Sequence, residues 1–328
     1  DTNQIFDGME LAKQRGDSTI QFVLGRQPGG QFPPSLLACA RGGWALERAS
    51  DVLHNAPGRK VLATETRKGR LRALRDIPRS EQQLMLDELR ELGGSRFEFI
   101  EGDIRDVDAC RSAVAGCDAV VHLAAFPSPG MQPDAKVYQD NTVGSYNVLL
   151  ACELLGIKKI CLASSINAIG GVYSRLPTYE YFPVDEEHPT YSEDPYSLSK
   201  WILEIQADCF ARRREDISIS SMRFHWLQYR DFVEPRTTNG ISFKHLWAYT
   251  DPIAAAKACL ASLKVTWTGH EAFFIVAPDT ASPTDSEELI REHYPQVRMN
   301  KPMPGRHGFY CCAKAQRLLD WVHEDHEH

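Results

Sequence analysis

The chain has 328 residues, 43% of them hydrophobic and 25% charged, the composition of an ordinary globular protein. Its 37 Lys and Arg against 44 Asp and Glu give a formal net charge of −7, which speaks against a nucleic-acid partner, because phosphate-backbone binders are normally basic. No apolar run reaches about eighteen residues and no basic segment leads into an apolar one, so neither a membrane partner nor a signal peptide is expected.

Residues 1–19 are polar, lack a period and read as a tail. IQFVLG (20–25) predicts a strand, followed by the loop RQPGGQFPP and a helical stretch over 35–55. KVLATET (60–66) predicts a second strand, and SEQQLMLDELRELG (80–93) a charged helix closed by Gly93 and Gly94. RFEFIEGD (96–103), DAVVHLAA (118–125), KKICLASS (158–165) and ISISSMRF (217–224) predict four more strands. Helices are predicted over 137–155 and 196–214. In the second, Ile202, Ile205, Cys209 and Phe210 recur at helical spacing and are expected to seat it on a sheet. Near-continuous apolar strands alternating with helices predict an α/β, doubly wound parallel sheet. The nine cysteines (39, 110, 117, 152, 161, 209, 259, 311 and 312) show no CxxC spacing, and several sit in apolar runs such as ICLASS. They read as small buried hydrophobes in a reducing, cytoplasmic compartment.

Ligands of such sheets lie beyond the carboxyl ends of the strands. That rule singles out Gly25, Glu65, Asp103, the 124–128 segment, Ser164, Ser165 and the chain from His225 onward. Among these, KKICLASS followed by DPYSLSK carries the clearest chemistry. Tyr196 and Lys200 are four apart at a helix start and share one face. A tyrosine near its ordinary pKa of 10 is a poor base, and a neighbouring ammonium favours the phenolate. Ser165 would hold a substrate oxygen, completing a proton-transfer set beside a hydride acceptor. A second pair at this spacing, Tyr310 and Lys314, has no strand-end serine before it and reads as helix surface. The terminal HEDHEH reads as a frayed, solvated tail.

The segments GDIRD (102–106), VVHLAA (120–125), DNTVGSYNVLLAC (140–152), LASSINAIG (162–170), DPYSLSK (194–200) and MRF (222–224), in this order, resemble the extended short-chain dehydrogenase/reductase family, also called the NAD-dependent epimerase/dehydratase family. The resemblance implies a Rossmann-type NAD(P)-binding domain over 20–224. Residues 225–328 would form mainly a small C-terminal substrate-binding lobe, partly returning to the Rossmann core. It implies Tyr196 as acid/base, Lys200 as its electrostatic partner and a ribose ligand, and Ser165 as the substrate hydroxyl ligand. Asp103 would accept from the adenine amino group, Ile104 and Leu123 would line the cofactor, Ala124 and Ala125 would let the chain pass close to it, and Asn141 would support the site. Subunits would pair into a homodimer through the 137–155 and 196–214 helices.

One motif departs from the family pattern. Where a strand–TGxxGxxG–helix turn is expected, the chain reads VLGRQPGGQFPP, with Gly25, Gly29 and Gly30 at other spacings and Pro33 and Pro34 following. Either an unusual loop holds the pyrophosphate or the turn is lost. Glu65 suits the ribose hydroxyls of NAD, whereas Arg67 and its basic neighbours suit the 2′-phosphate of NADP, so the cofactor is NAD or NADP.

Only 22 residues separate Arg223 from LWAYTD (246–251), where the resemblance implies a longer insertion in the nucleotide-sugar members of the family, so the short cap suits a smaller molecule. With its SSINAIG–YSLSK–LWAYTD order the chain is most similar to the uronate dehydrogenase branch, which oxidises the anomeric carbon of a free hexuronic acid. Arg230 or Arg236 would meet the substrate carboxylate, and Ser128, Asn167 and His225 would add substrate contacts. The first functional expectation is NAD(P)-dependent oxidation of a sugar or sugar acid. A nucleotide-sugar epimerase or dehydratase is the second. A non-catalytic binding protein, motivated by the altered glycine turn, is the third.

Overall fold

The computed structural model describes residues 19–25, 36–41, 97–234 and 242–326. Two compact units interleave in sequence, Asp1–Phe126 with Val143–Ile160 and Pro127–Thr142 with Cys161–His328. In the first, β1 (Thr19–Gly25), β2 (Leu36–Arg41), β3 (Phe97–Gly102) and β4 (Ala119–His122) follow the order β3-β1-β2-β4. β1 and β3 run parallel, with Ile20 opposite Phe97 and Gly25 opposite Gly102. β2 runs antiparallel to both its neighbours.

That strand corrects the first part of the helix expected over 35–55, whose remainder from 42 onward lies outside the described residues. LLACAR is a short apolar run, which periodicity alone does not separate from a buried helix, and pairing on both edges decides it. It also makes the sheet mixed where parallel strands alone were expected. The predicted strand 60–66 and helix 80–93 lie outside the described residues. α1 (Val107–Val114) starts at Asp106, whose carboxylate accepts from the amides of Asp108 and Ala109, and it buries Cys110, Ala113 and Val114.

In the second unit, β5 (Lys159–Ser165) is hydrogen-bonded to β7 (Ser218–Phe224), and β7 pairs in parallel with β8 (Gly269–Ile275). The two-residue strands β6 (Tyr181–Phe182) and β9 (Arg298–Met299) form a separate pair. The helices are α2 (Asp134–Leu154), which continues into the first unit, α3 (Pro195–Arg213), α4 (Pro252–Leu263), α5 (Ser286–His293) and α6 (Ala313–Leu319). Strands and helices alternating through β3, α1, β4, α2, β5, α3, β7, α4 and β8 make this a Rossmann-type α/β fold. Phe182, Phe274, Phe309 and Trp247 lie in the core beside Tyr310, which is buried and not the helix-surface residue expected. Among the described residues no helix is long and apolar enough to cross a membrane.

α3 packs through a face other than the expected one. Of Ile202, Ile205, Cys209 and Phe210 only Phe210 is buried, and Ile205 is 44% exposed. The buried face carries Tyr196, Ser199, Lys200, Leu203, Glu204 and Ala207. Apolar periodicity overlooks this face because its polar members are paired.

The terminal tail is docked. His323 Nε2 accepts from the amide of Asp251 at 3.0 Å, and His326 meets the Asp251 carboxylate through its amide at 3.1 Å and Nδ1 at 2.9 Å. Lys257 Nζ donates to Glu324 at 2.6 Å. Asp251 also caps α4, so the charged tail finds partners around one helix start.

Candidate active site

The end of β5 turns sharply. Ser165 keeps extended backbone and a short 3-10 turn, Ile166–Ile169, follows. Ser165 Oγ accepts from the Asn167 amide at 3.1 Å and from Asn167 Nδ2 at 3.3 Å, and Asn167 Oδ1 accepts from the Val172 amide at 3.2 Å. Gly170 then sits at φ 89°, where a Cβ would stand 2.7 Å from the Tyr191 carbonyl oxygen. Only glycine fits this turn.

α3 begins where its sequence directs. Asp194 caps it, accepting from the amides of Tyr196 at 3.0 Å and Ser197 at 2.9 Å, and Pro195 occupies the first helical position. The cap aims Tyr196 and Lys200 from the first turns. Tyr196 is 7% exposed, and the Ser165 hydroxyl acts on its phenol. Lys200 is 4% exposed, donates to the Ala163 carbonyl at 2.6 Å, and places Nζ 5.7 Å from the centre of the Tyr196 ring. Asn141, also buried, donates to Ser199 Oγ at 3.0 Å, and Ser199 donates to the Tyr196 carbonyl at 2.7 Å. Asn141 therefore steadies the first turn of α3.

The electrostatics run against one expectation. Burial pushes the Tyr196 phenol well up, and the Ser165 hydroxyl only partly offsets it. Burial also lowers the Lys200 ammonium to about 8, with the Glu204 carboxylate opposing that fall. The phenol is thus neutral in the resting protein, where Lys200 was expected to favour the phenolate.

A family model described as the NAD dependent epimerase/dehydratase family matches residues 52–231, more than half of the chain. The chain belongs to this family. The N-acetyl-alpha-D-glucosaminyl-diphospho-ditrans,octacis-undecaprenol 4-epimerase of Escherichia coli O157:H7 is 39% identical over 31% of this chain and 29% of that protein. The L-arabinose 1-dehydrogenase (NAD(P)(+)) of Haloferax volcanii is 33% identical over 41% of this chain and 54% of its own length, and the uronate dehydrogenase of Agrobacterium fabrum is 29% identical over 42% and 53%. The matched stretches thus span from under a third to about half of these relatives. A UDP-glucose 4-epimerase from Bifidobacterium longum, solved with NAD+ and UDP, shares the fold at a TM-score of 0.52 and 19% identity, over 74% of this chain and 82% of that one.

Beside the Ser165–Tyr196–Lys200 set, the other expected site residues fall into three groups. Gly29, Gly30, Glu65, Arg67 and Arg236 lie outside the described residues, and Gly25 ends β1 opposite Gly102. In the first unit, Ala124 and Ala125 are buried and Leu123 half-buried. Ile104 packs against Gly144, where a Cβ would collide with it, and its carbonyl accepts from Asn147 Nδ2 at 3.0 Å. Asp103 is gripped by Arg105, whose Nε and Nη2 reach both carboxylate oxygens, so an adenine amino group would share that carboxylate with a guanidinium.

In the second unit, Ser128 and Asn167 are half-buried and buried respectively. The expected substrate contacts of His225 and Arg230 are not supported. His225 Nε2 donates to the His245 carbonyl at 3.0 Å and its Nδ1 accepts from the Trp226 amide at 2.6 Å, while burial lowers the imidazole to about 3. Both ring nitrogens are therefore taken up inside the protein. Arg230 donates to Asp279, Glu234 and Asp325 and to the Tyr249 hydroxyl, which leaves no open cation for a substrate carboxylate.

Two buried neighbours of the Ser165–Tyr196–Lys200 set escaped the sequence reading. Glu204 and Arg223 are both buried and joined by Arg223 Nε at 3.0 Å and Nη2 at 2.8 Å. The available signal was a lone arginine inside the apolar strand SISSMRF, a residue that is almost never buried unless paired.

Proposed function

We propose that this chain is an NAD(P)-dependent oxidoreductase acting on a sugar or sugar acid, with Tyr196, Ser165 and Lys200 as its catalytic residues. The observation that carries the reading is the buried Lys200 ammonium 5.7 Å from the centre of the Tyr196 ring, with the Ser165 hydroxyl acting on the same phenol. An ammonium has three N–H donors, and Lys200 directs one at the Ala163 carbonyl. The remaining donors suit the ribose hydroxyls of a dinucleotide, so the residues fit that cofactor. Bound NAD or NADP supplies the hydride acceptor.

The chain's own groups then move the proton. Ser165 hydrogen-bonds the substrate hydroxyl oxygen and holds it at Tyr196. Tyr196 takes that proton in oxidation as the phenolate, once its own proton has gone to solvent, and as the phenol it gives a proton in reduction. Because burial keeps the phenol neutral, reduction proceeds near neutral pH and oxidation strengthens in alkaline buffer. The short cap before Leu246 suits a free sugar acid over a nucleotide sugar.

A nucleotide-sugar epimerase is the second reading, favoured by the match to the Escherichia coli 4-epimerase. It uses the same three residues but retains cofactor through purification and yields no net NADH. The non-catalytic reading rests on the 25–30 loop, and a cofactor titration addresses it directly.

The test is titration with NAD and then NADP by tryptophan fluorescence, followed by NADH production on a panel of hexuronic acids and free aldoses. Tyr196→Phe should lower turnover by about a hundredfold or more while leaving cofactor affinity unchanged. Unaltered turnover in that variant would overturn the assignment.

A further inference from the structure

Tyr196, Lys200 and Glu204 stand one turn apart on a single face of α3. Each meets one of the last three residues of β5. The Tyr196 phenol is acted on by the Ser165 hydroxyl, Lys200 donates to the Ala163 carbonyl at 2.6 Å, and Glu204 accepts from Ser164 Oγ at 2.5 Å. The third contact belongs to no step of the reaction, yet it closes the ladder that the first two need. Glu204 is itself fixed from β7 by the two-pronged grip of Arg223, whose guanidinium lies 5.1 Å from the centre of the Phe274 ring.

Stability does not account for this arrangement. A buried ion pair is often no better than well-packed apolar residues of the same volume. Here the pair also leaves Arg223 Nη1 buried without an acceptor. Such a pair is better suited to fixing one arrangement. We propose that Glu204 is a positioning residue of the proton-transfer site. Clamped by Arg223, it holds the end of β5 against α3 through Ser164 and so sets where Ser165 and Lys200 meet Tyr196.

Its charge serves the same end, since the Glu204 carboxylate helps keep the buried Lys200 protonated. The other charged groups acting on this pair are Glu186 and Glu187, through Arg223. The inference rests on the proposed reaction for its kinetic arm only.

The experiment compares Glu204→Gln, Glu204→Asp and the double variant Glu204→Gln/Arg223→Met, which removes both buried charges should the single change fail to fold. With a substrate from the hexuronate panel, Glu204→Gln and the double variant should lose about tenfold in kcat with KM nearly unchanged. The alkaline limb of the pH profile should move down by about one pH unit, and Glu204→Asp should restore the limb. A kcat, KM and limb equal to those of the wild type, with only the yield of folded protein reduced, would mean a structural pair and overturn the proposal.

A second arm needs no turnover. The pH at which Lys200 loses its proton is read from the stability difference between each protein and its Lys200→Met derivative. A midpoint lowered by Glu204→Gln supports the proposal even if no substrate is turned over, in which case the functional reading alone fails. An unmoved midpoint overturns it.

Discussion

Lys200→Met should stabilise the protein at neutral pH while abolishing its chemistry. The ammonium is 4% exposed and burial lowers it from 10.5 to about 8. Each pH unit of separation between folded and unfolded states is worth about 1.36 kcal/mol, so burying this charge costs roughly 3 kcal/mol. Below about pH 8 the lysine is charged in both states and the full cost is present. Between about 8 and 10.5 the folded protein has released the proton that the unfolded chain still binds, so stability rises with pH. Methionine keeps most of the stem and removes the charge, but forfeits the 2.6 Å bond to the Ala163 carbonyl, worth about 1 kcal/mol. The net gain at neutral pH is about 2 kcal/mol. Urea denaturation followed by circular dichroism across this range should give two curves that cross at about pH 9.5, the wild type being the more stable above the crossing. Curves that stay parallel would show that the ammonium is not buried as the structure has it.

Three further outcomes follow from the geometry. Gly170→Ala places a Cβ 2.7 Å from the Tyr191 carbonyl at φ 89° and should destabilise by about 2–4 kcal/mol, and a denaturation midpoint equal to that of the wild type would refute the turn described here. Burial lowers His225 from 6.5 to about 3, so the stability it confers is present above about pH 6.5 and is lost as pH falls toward 3. His225→Gln should therefore flatten the acid limb of stability, by up to about 5 kcal/mol, and an unchanged limb in acid titration would contradict the buried neutral imidazole. Arg230→Gln breaks contacts to three carboxylates and should lower stability by about 2 kcal/mol with substrate KM unchanged. A KM raised about tenfold at full stability would instead restore Arg230 as a carboxylate ligand.

Much of the order of elements was legible from the chain. β5, α3 and β7 carry the signals that physics makes local, namely apolar runs of strand length and an Asp-Pro helix start. The expected tail shows where such signals stop. HEDHEH has no period and much charge, which reads as solvated, yet its residues meet Asp251, Lys257 and Arg230 from distant parts of the sequence. β2 fails for a related reason, because a six-residue apolar segment becomes a strand only through the partners on its two edges. Local pattern carries no information about either set of partners.

The same reasoning explains why the helix at the centre of the site was recognised while its working face was mistaken. An amphipathic helix is read by assuming that apolar residues face inward. In α3 the inward face carries Lys200 and Glu204, and Ile205 faces out, the reverse of that assumption at three positions. A charge can be buried only if a partner compensates it, so each reversal marks a partner that the pattern does not show. Glu204 requires Arg223, and Lys200 requires the Ala163 carbonyl and, on the proposed function, a ribose. On the proposed function, a helix whose polar residues point inward has its geometry set by the chemistry it serves, at the expense of burial that Ile205 would have supplied. That conflict is resolved in favour of stability when Lys200 becomes methionine, which is why the variant expected to be the more stable at neutral pH is also expected to be inactive.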